Sequence, residues 1–445
     1  MAKIKKMGAV GREIRVAVIG LGGRGYWQTD TLLGMPDLKV AVVCDVYQDR
    51  IDGMCGHCEE KQGFRPDGTT DYTEAIGRED IEAVFIFSSW QTHIRIACDA
   101  MRMGKYVAME VGGASSVEEC WKLVRTSEDT GMPCMMLENC CYDLREMAAL
   151  NMVKKGLFGE LVHAEGGYLH DLRDEIGNGD VSRHYRQDNF HHRNGELYPT
   201  HELGPIAKCL GINRGNRMLS LTSMASKAAG LRAWYRERRG DSGLGDAQIN
   251  EGDIVTTMIK CANGETICLK HDCSLPRPYS RAFLIQGTRG IWQEDGARCY
   301  FDGVSPIHPG EWCHSWEPEA GYIEKYKHPL WKEYEEFGLR GGHGGMDYLV
   351  LRAFVEAVQE RKGTPIDVYD TASWMVVTAL SESSVAMGGM PVAIPDFTDG
   401  LWINRPDHDD SMYTLETIPE ELAAPAKPPR GAKNKGARKT KAGKR

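Results

Sequence analysis

Near the start of the chain, Gly20-Leu21-Gly22-Gly23-Arg24-Gly25 has the G-x-G-x-x-G spacing that suits close approach to a pyrophosphate. Gly20 permits a tight turn, Gly22 brings the main chain against the phosphates, and Gly25 allows a helix to pack closely on a strand. The helix start then offers unpaired N–H groups to the anion. Asp45 follows 20 residues after Gly25 and ends a second strand-like run. Its carboxylate suits the ribose hydroxyls and repels a 2′-phosphate, so the pattern predicts NAD rather than NADP.

Other reactive residues are less persuasive. His184, His191, His192 and His201 invite a metal reading. Adjacent histidines seldom reach one ion, and no carboxylate or cysteine completes a familiar ligand spacing, so no metal is expected. Cys55-Gly56-His57-Cys58 has redox spacing but falls in the middle of a helical pattern, where such pairs do not act. Cys140-Cys141 reads as packing at a domain junction. The 14 cysteines fit a reducing cytosol, and the basic Met1–Lys6 start has no apolar stretch of a secretory signal, so a cytoplasmic protein is expected.

These residues need elements to hold them. Ile14–Ile19, Lys39–Cys44, Ala83–Phe87, Tyr106–Met109 and Cys134–Leu137 are short apolar runs that alternate with amphipathic stretches such as Ile94–Met103 and Val117–Thr130. Buried parallel strands between helices make a doubly wound α/β unit, expected over 12–139. After a helix over Leu144–Lys155 the pattern changes. Leu161–His170, Met218–Met224, Ile254–Cys261, Thr266–His271 and Arg281–Gln286 read as strands without intervening helices, with Asn263-Gly264 as a hairpin turn. An α+β domain with a mainly antiparallel open sheet is expected over 140–418, with helices Met346–Glu360 and Thr371–Met387 packed on that sheet.

Of 445 residues, 42% are hydrophobic and 26% charged, an ordinary soluble composition with no run long enough to span a membrane. The net charge is -9, which argues against specific nucleic-acid binding. Nine basic and no acidic residues lie between Lys427 and Arg445, leaving -18 on the remainder. The stretch 419–445 is expected to be a basic disordered tail.

The chain resembles the glucose–fructose oxidoreductase and inositol dehydrogenase superfamily in its Rossmann unit, in Glu110 after the fourth core strand and in the following sheet. Members of that group often carry Glu-Lys-Pro at this point. Glu110-Val111-Gly112 lacks the lysine, which argues against a plain dehydrogenase that uses it. A narrower resemblance over most of 14–400 is to glycoside hydrolase family 109, NAD-dependent glycosidases best known as α-N-acetylgalactosaminidases. It rests on Trp90-Gln91-Thr92-His93, Glu110-Val111, Glu138-Asn139, Gly167 to Arg173, Tyr198-Pro199-Thr200-His201, Arg277 to Ser280 and His343 to Tyr348. Tyr185-Arg186 stands where that family usually has Trp-Arg, and the loop Gly177–Gly195 around it is where the resemblance carries least.

The resemblance implies that Gly23, Arg24, Asp45, Trp90, Gln91, Thr92, His93, Glu110, Val111, Asn139 and Tyr198 meet NAD. It places Tyr168, Arg186, Tyr198, Pro199, Thr200, His201 and Tyr279 at a glycoside. It further implies transient oxidation at C3, loss of the C2 proton, elimination, addition of water and re-reduction. Tyr168 and His201 would move the protons, supported by His170. On residue type alone each could merely fill a pocket wall. His201 starts near a pKa of about 6.5, but Tyr168 starts near 10 and needs a cation beside it, with the nicotinamide ring, His170 or Arg173 as candidates. A homo-oligomer is expected by the same resemblance. The competing readings are an NAD-dependent sugar or polyol dehydrogenase and a non-catalytic NAD- or sugar-sensing protein.

Overall fold

The computed structural model describes residues 10–240, 243–305, 314–407 and 411–419. The basic stretch from Lys427 lies outside them. Two sheets organise the chain. The first contains β1 (Ile14–Ile19), β2 (Leu38–Cys44), β3 (Asp67–Thr69), β4 (Ala83–Ile86), β5 (Tyr106–Met109) and β6 (Cys134–Met136), in the order β3-β2-β1-β4-β5-β6 and wholly parallel. Its strands are buried on both faces, which is why they read as continuous apolar runs rather than alternating ones. The helices Gly23–Leu33, Gln48–Gln62, Trp90–Arg102 and Val117–Thr130 supply the crossovers.

The second sheet contains β7 (Leu161–Leu169), β8 (Met218–Ala225), β9 (Val255–Cys261), β10 (Thr266–Asp272), β11 (Leu284–Gly287), β12 (Gly290–Gln293), β13 (Arg298–Phe301), β14 (Glu317–Pro318) and β15 (Val392–Ala393). The order is β14-β13-β12-β11-β7-β10-β9-β8-β15, and every pairing is antiparallel except β7 with β10. The expected hairpin at Asn263-Gly264 joins β9 to β10, with Gly264 at φ 109°.

Of the two late helices, one packs on the second sheet as expected and the other does not. Val368–Ala386 lies between β8 and the Val117–Thr130 helix, so it touches both sheets' layers. Met346–Glu360 packs on the first sheet instead of the second: Phe354 meets Phe85 edge-on at 5.1 Å, and Arg352 donates to both oxygens of Asp37 at 2.6 and 2.9 Å. The physical reason is coverage. A parallel sheet apolar on both faces needs more covering than its own crossovers supply, and this helix is buried along almost its whole length.

A helix absent from the sequence reading, Thr200–Leu210, crosses β7 closely. Gly166 makes that possible, because a Cβ there would stand 1.8 Å from Cγ of Glu202. Gly204 and Pro205 inside the helix are the breaker residues that hid it from periodicity. The cysteines of Cys55-Gly56-His57-Cys58 are both buried in Gln48–Gln62, and burial pushes the Cys58 thiol up to about 12. That is packing, as expected. All described cysteines are free thiols.

Candidate active site

The turn after β1 is shaped by two glycines. Gly20 has φ 93°, and a Cβ on it would meet the carbonyl carbon of Phe87 at 2.5 Å. A Cβ on Gly25 would meet the Gly20 carbonyl oxygen at 2.0 Å. No side chain caps the following helix at Gly22, so its first N–H groups have no intrahelical partner and no competitor for an anion. Asp45 accepts from Leu21 N at 2.7 Å and from Tyr47 N at 3.0 Å, which ties its carboxylate to the glycine turn at the edge of the crevice.

These groups line a cavity of about 830 Å³ that runs past Ser88, Ser89 and Thr92 to Glu110. A pocket of this size, with its glycine cradle, uncapped helix start and acidic ribose partner, fits a dinucleotide. Its opposite wall comes from the segment 174–185, which follows β7 of the second sheet. Arg183 closes this strap by pairing with Asp49 at 3.1 and 2.7 Å and lying 4.2 Å over the Tyr47 ring.

Within Trp90–His93 only Thr92 reaches the cavity wall. Gln91 is exposed, and His93 is sealed with Nε2 2.9 Å from the Ser88 carbonyl, so it steadies a residue that does reach the cavity. Burial lowers the His93 pKa to about 4, leaving the ring neutral. Trp90 is buried with an unpartnered Nε1 and packs on Tyr185 at 5.0 Å and Tyr198 at 5.7 Å. The missing lysine also has a local reason. Val111 is 3% exposed, and a Cβ on Gly112 would stand 2.4 Å from Cδ1 of Trp90. A charged lysine at the sealed Val111 would lose its hydration, and φ 158° at Gly112 excludes a proline.

Arg24 does not point a free charge at the phosphate turn. Its guanidinium pairs with Glu110 and takes Asp347 with both terminal nitrogens at 3.0 Å. Burial disfavours the cation, but Glu110 and Asp347 together hold it charged. Asn139 donates to Asp347 at 2.8 Å and is buried. Asp347 was quoted in the sequence only as part of a motif, and nothing in its spacing marked it as Arg24's partner.

Beyond Glu110 the site becomes aromatic. Tyr168, on β7, lies 4.4 Å from the Tyr198 ring and 5.4 Å from the His201 ring, and its hydroxyl is 3.1 Å from Nδ1 of His170. Tyr279 is 46% exposed at the mouth, 4.9 Å from the His170 ring. Pro199 and Thr200 are buried behind the site, where they start the Thr200–Leu210 helix. His201 sits on that helix with Nδ1 2.8 Å from Oε1 of Glu138, a carboxylate of zero exposure. Burial alone would raise the Glu138 carboxyl, but His201 and the Cys140 N–H hold it below its usual range. The sequence marks Glu138 only as half of the Glu138-Asn139 pair and attaches no role to it. Its only signal was its place at the end of β6, beside Asn139.

The cation beside Tyr168 is Arg186, not Arg173. Arg173 is bound to Asp171 at 2.8 and 2.7 Å, whereas Arg186 lies over the rings of Trp90, Tyr168 and Tyr198 at 5.5, 5.6 and 5.0 Å. Glu175 balances it at 3.2 Å. Burial nevertheless dominates and pushes the Tyr168 phenol up to about 12, with Arg186 opposing. The remaining histidines do not converge on His201: His191 pairs with Tyr235, and His192 with Asp188.

Comparison with known proteins places these features. Residues 142–404 match the model described as glycosyl hydrolase 109, C-terminal domain, and 14–138 match the oxidoreductase family, NAD-binding Rossmann fold. An alpha-N-acetylgalactosaminidase of Tannerella forsythia is 40% identical over 427 residues, covering 91% of this chain and 90% of the relative. A glycosyl hydrolase family 109 protein of Parabacteroides distasonis is 40% identical over 428 residues, covering 91% of each. Among solved structures, an NAD binding oxidoreductase from Klebsiella pneumoniae superposes with TM-score 0.64 at 16% identity, over 86% of this chain and 99% of that one. Levoglucosan dehydrogenase in complex with NADH and levoglucosan gives 0.62 at 18%, over 86% and 100%. These two likenesses are of fold.

Proposed function

The chain belongs to glycosyl hydrolase family 109, an NAD-dependent glycoside hydrolase, and we propose that its substrate is an α-N-acetylgalactosaminide or a closely related glycoside. In this reading residues up to about 139 serve the cofactor, and 140–418 serve the sugar and subunit pairing. When bound, NAD supplies reversible oxidation at C3 of the sugar, the part of the chemistry that side chains cannot perform. The glycine turn, Asp45, Thr92 and Glu110 would hold it.

The protein's own task is proton transfer and orientation. Glu138 accepts the Nδ1 proton of His201, which leaves Nε2 as the lone-pair nitrogen, 3.5 Å from the Tyr198 hydroxyl. His201 is thereby fixed as a base in one tautomer. Tyr168 is the second proton-transfer group. Its hydroxyl hands a proton to or from His170, and Arg186 steadies the phenolate. Between them Tyr168 and His201 take the C2 proton and the proton of the 3-hydroxyl. Tyr279 and Arg186 orient the sugar ring, and Trp90, Tyr185 and Tyr198 keep water from the reacting face.

The observation that carries the proposal is the meeting of Tyr168 and His201 around Tyr198, which Trp90 links to Tyr185 on the wall of the dinucleotide cavity. The test uses a panel of chromogenic glycosides in heavy water. Aglycon release with deuterium at C2 of the product and no net NADH is expected for the α-N-acetylgalactosaminide. Steady NADH build-up from free sugar, without aglycon release, would overturn it.

A further inference from the structure

The cluster around Arg24 does not balance its charge. One guanidinium faces two carboxylates, Glu110 and Asp347, and His343 joins them with Nδ1 2.7 Å from Asp347, so with that imidazole neutral the cluster carries a net charge of -1. Both acids are nearly sealed, at 6% and 3% exposure, where charge is weakly screened. The other cation near this end of the cavity, Arg186, is already matched by Glu175.

The position of the cluster gives the imbalance a consequence. Asp45, after β2, marks the adenosine side of the crevice, because the strand order reverses between β1 and β4. Glu110 follows β5 and Asn139 follows β6, on the other side, which takes the nicotinamide half. The oxidised nicotinamide ring is a cation and the reduced ring is neutral. A fixed negative charge on this side stabilises the first relative to the second.

We infer that Asp347, brought from the far end of the chain by the Met346–Glu360 helix, acts through Arg24 and Glu110 to favour the oxidised over the reduced cofactor. It is a positioning and electrostatic residue rather than a catalytic one. The inference rests on the reading that NAD is regenerated within each turnover. Such an enzyme starts every cycle from the oxidised form, and a cofactor left reduced would stall it.

The experiment measures dissociation constants for NAD+ and for NADH separately, on full-length enzyme stripped of bound nucleotide. Asp347→Asn keeps an acceptor for Arg24 but removes the charge. NAD+ is expected to weaken about tenfold, while NADH stays within about twofold. His343→Lys adds a cation at an exposed residue whose Nδ1 is 2.7 Å from Asp347, and should move the same ratio in the same direction. That variant decides alone if Asp347→Asn does not fold. Equal weakening of both nucleotides, or an unchanged ratio, would overturn the inference. Failure of the wild type to bind either nucleotide would instead refute the cofactor reading.

Discussion

Nδ1 of His201 stands 2.8 Å from Oε1 of Glu138, and the two belong to elements of different sheets' layers. Glu138 ends the nucleotide sheet, whereas His201 opens the helix laid across β7. The contact therefore sets how the proton-transfer group sits relative to the cofactor cavity. Glu138→Gln keeps an acceptor without its charge and should lower kcat about 10- to 100-fold, with KM and NAD affinity little changed. His201→Ala should cost about 10²- to 10⁴-fold in kcat. Steady-state kinetics with parallel nucleotide titration separates these effects. A fall in nucleotide affinity matching the fall in kcat would place Glu138 in the fold rather than in the chemistry.

Tyr168→Phe should lower turnover by at least about 100-fold while NAD stays bound, since only the hydroxyl is lost. The pH dependence has a defined sign. Burial raises the phenol to about 12 and Arg186 works against that, so the hydroxyl keeps its proton at neutral pH. Replacing Arg186 with Gln removes the opposing charge and makes ionisation harder still. The alkaline rise of kcat/KM should move to higher pH in that variant, which a pH–rate profile measures.

The strands and the glycine turn were legible because their signals are local. β1 and β5 coincide with their apolar runs, and Gly20 to Gly25 fall where their spacing put them, between β1 and the helix Gly23–Leu33. The relations that make the site were not local. Asp347 is 323 residues from Arg24, and its helix reads as apolar whichever sheet it covers. The Thr200–Leu210 helix was masked by Gly204 and Pro205, although His201 itself stood out by its chemistry. Arg186 is expected at the sugar, and its place beside Tyr168 depends on how a loop folds over three aromatic rings.

Gly20→Ala tests the turn. The residue would need a left-handed backbone at φ 93° and a Cβ 2.5 Å from the Phe87 carbonyl carbon. Strain and overpacking together should cost about 2–5 kcal/mol, with NAD binding lost as the turn moves. Thermal unfolding with and without NAD reads both effects. An unchanged melting temperature would contradict the close approach.

Asp37 predicts an acid-side weakness. Burial would raise its carboxyl, but Arg352, Gln359 and the Gly11 N–H hold it down at about 2. A depressed carboxylate stabilises the fold above its unfolded pKa of about 4, and that contribution is lost as pH falls toward 2. Wild-type stability should therefore decline between about pH 4 and 2. Asp37→Asn should be less stable at neutral pH and show a shallower decline across that window, by denaturant unfolding at each pH.

The strap over the cofactor cavity gives the last prediction. Arg183 is a non-glycine residue at φ 58°, and its guanidinium ties the strap to Asp49 and Tyr47 across the cavity. Arg50 adds a second tie from the same side, donating to the Ser182 carbonyl at 3.3 Å. The pair with Asp49 is exposed, so its loss should leave the fold intact. Arg183→Ala should speed NAD release about three- to tenfold, through loss of both the ion pair and the ring contact. Arg183→Gly loses the same contacts but suits the left-handed backbone, so it should release NAD as fast as Arg183→Ala while being the more stable of the two. Stopped-flow displacement of bound nucleotide gives the rate, and thermal unfolding gives the order of stability. If release is unchanged in both variants, the strap's closure does not depend on Arg183.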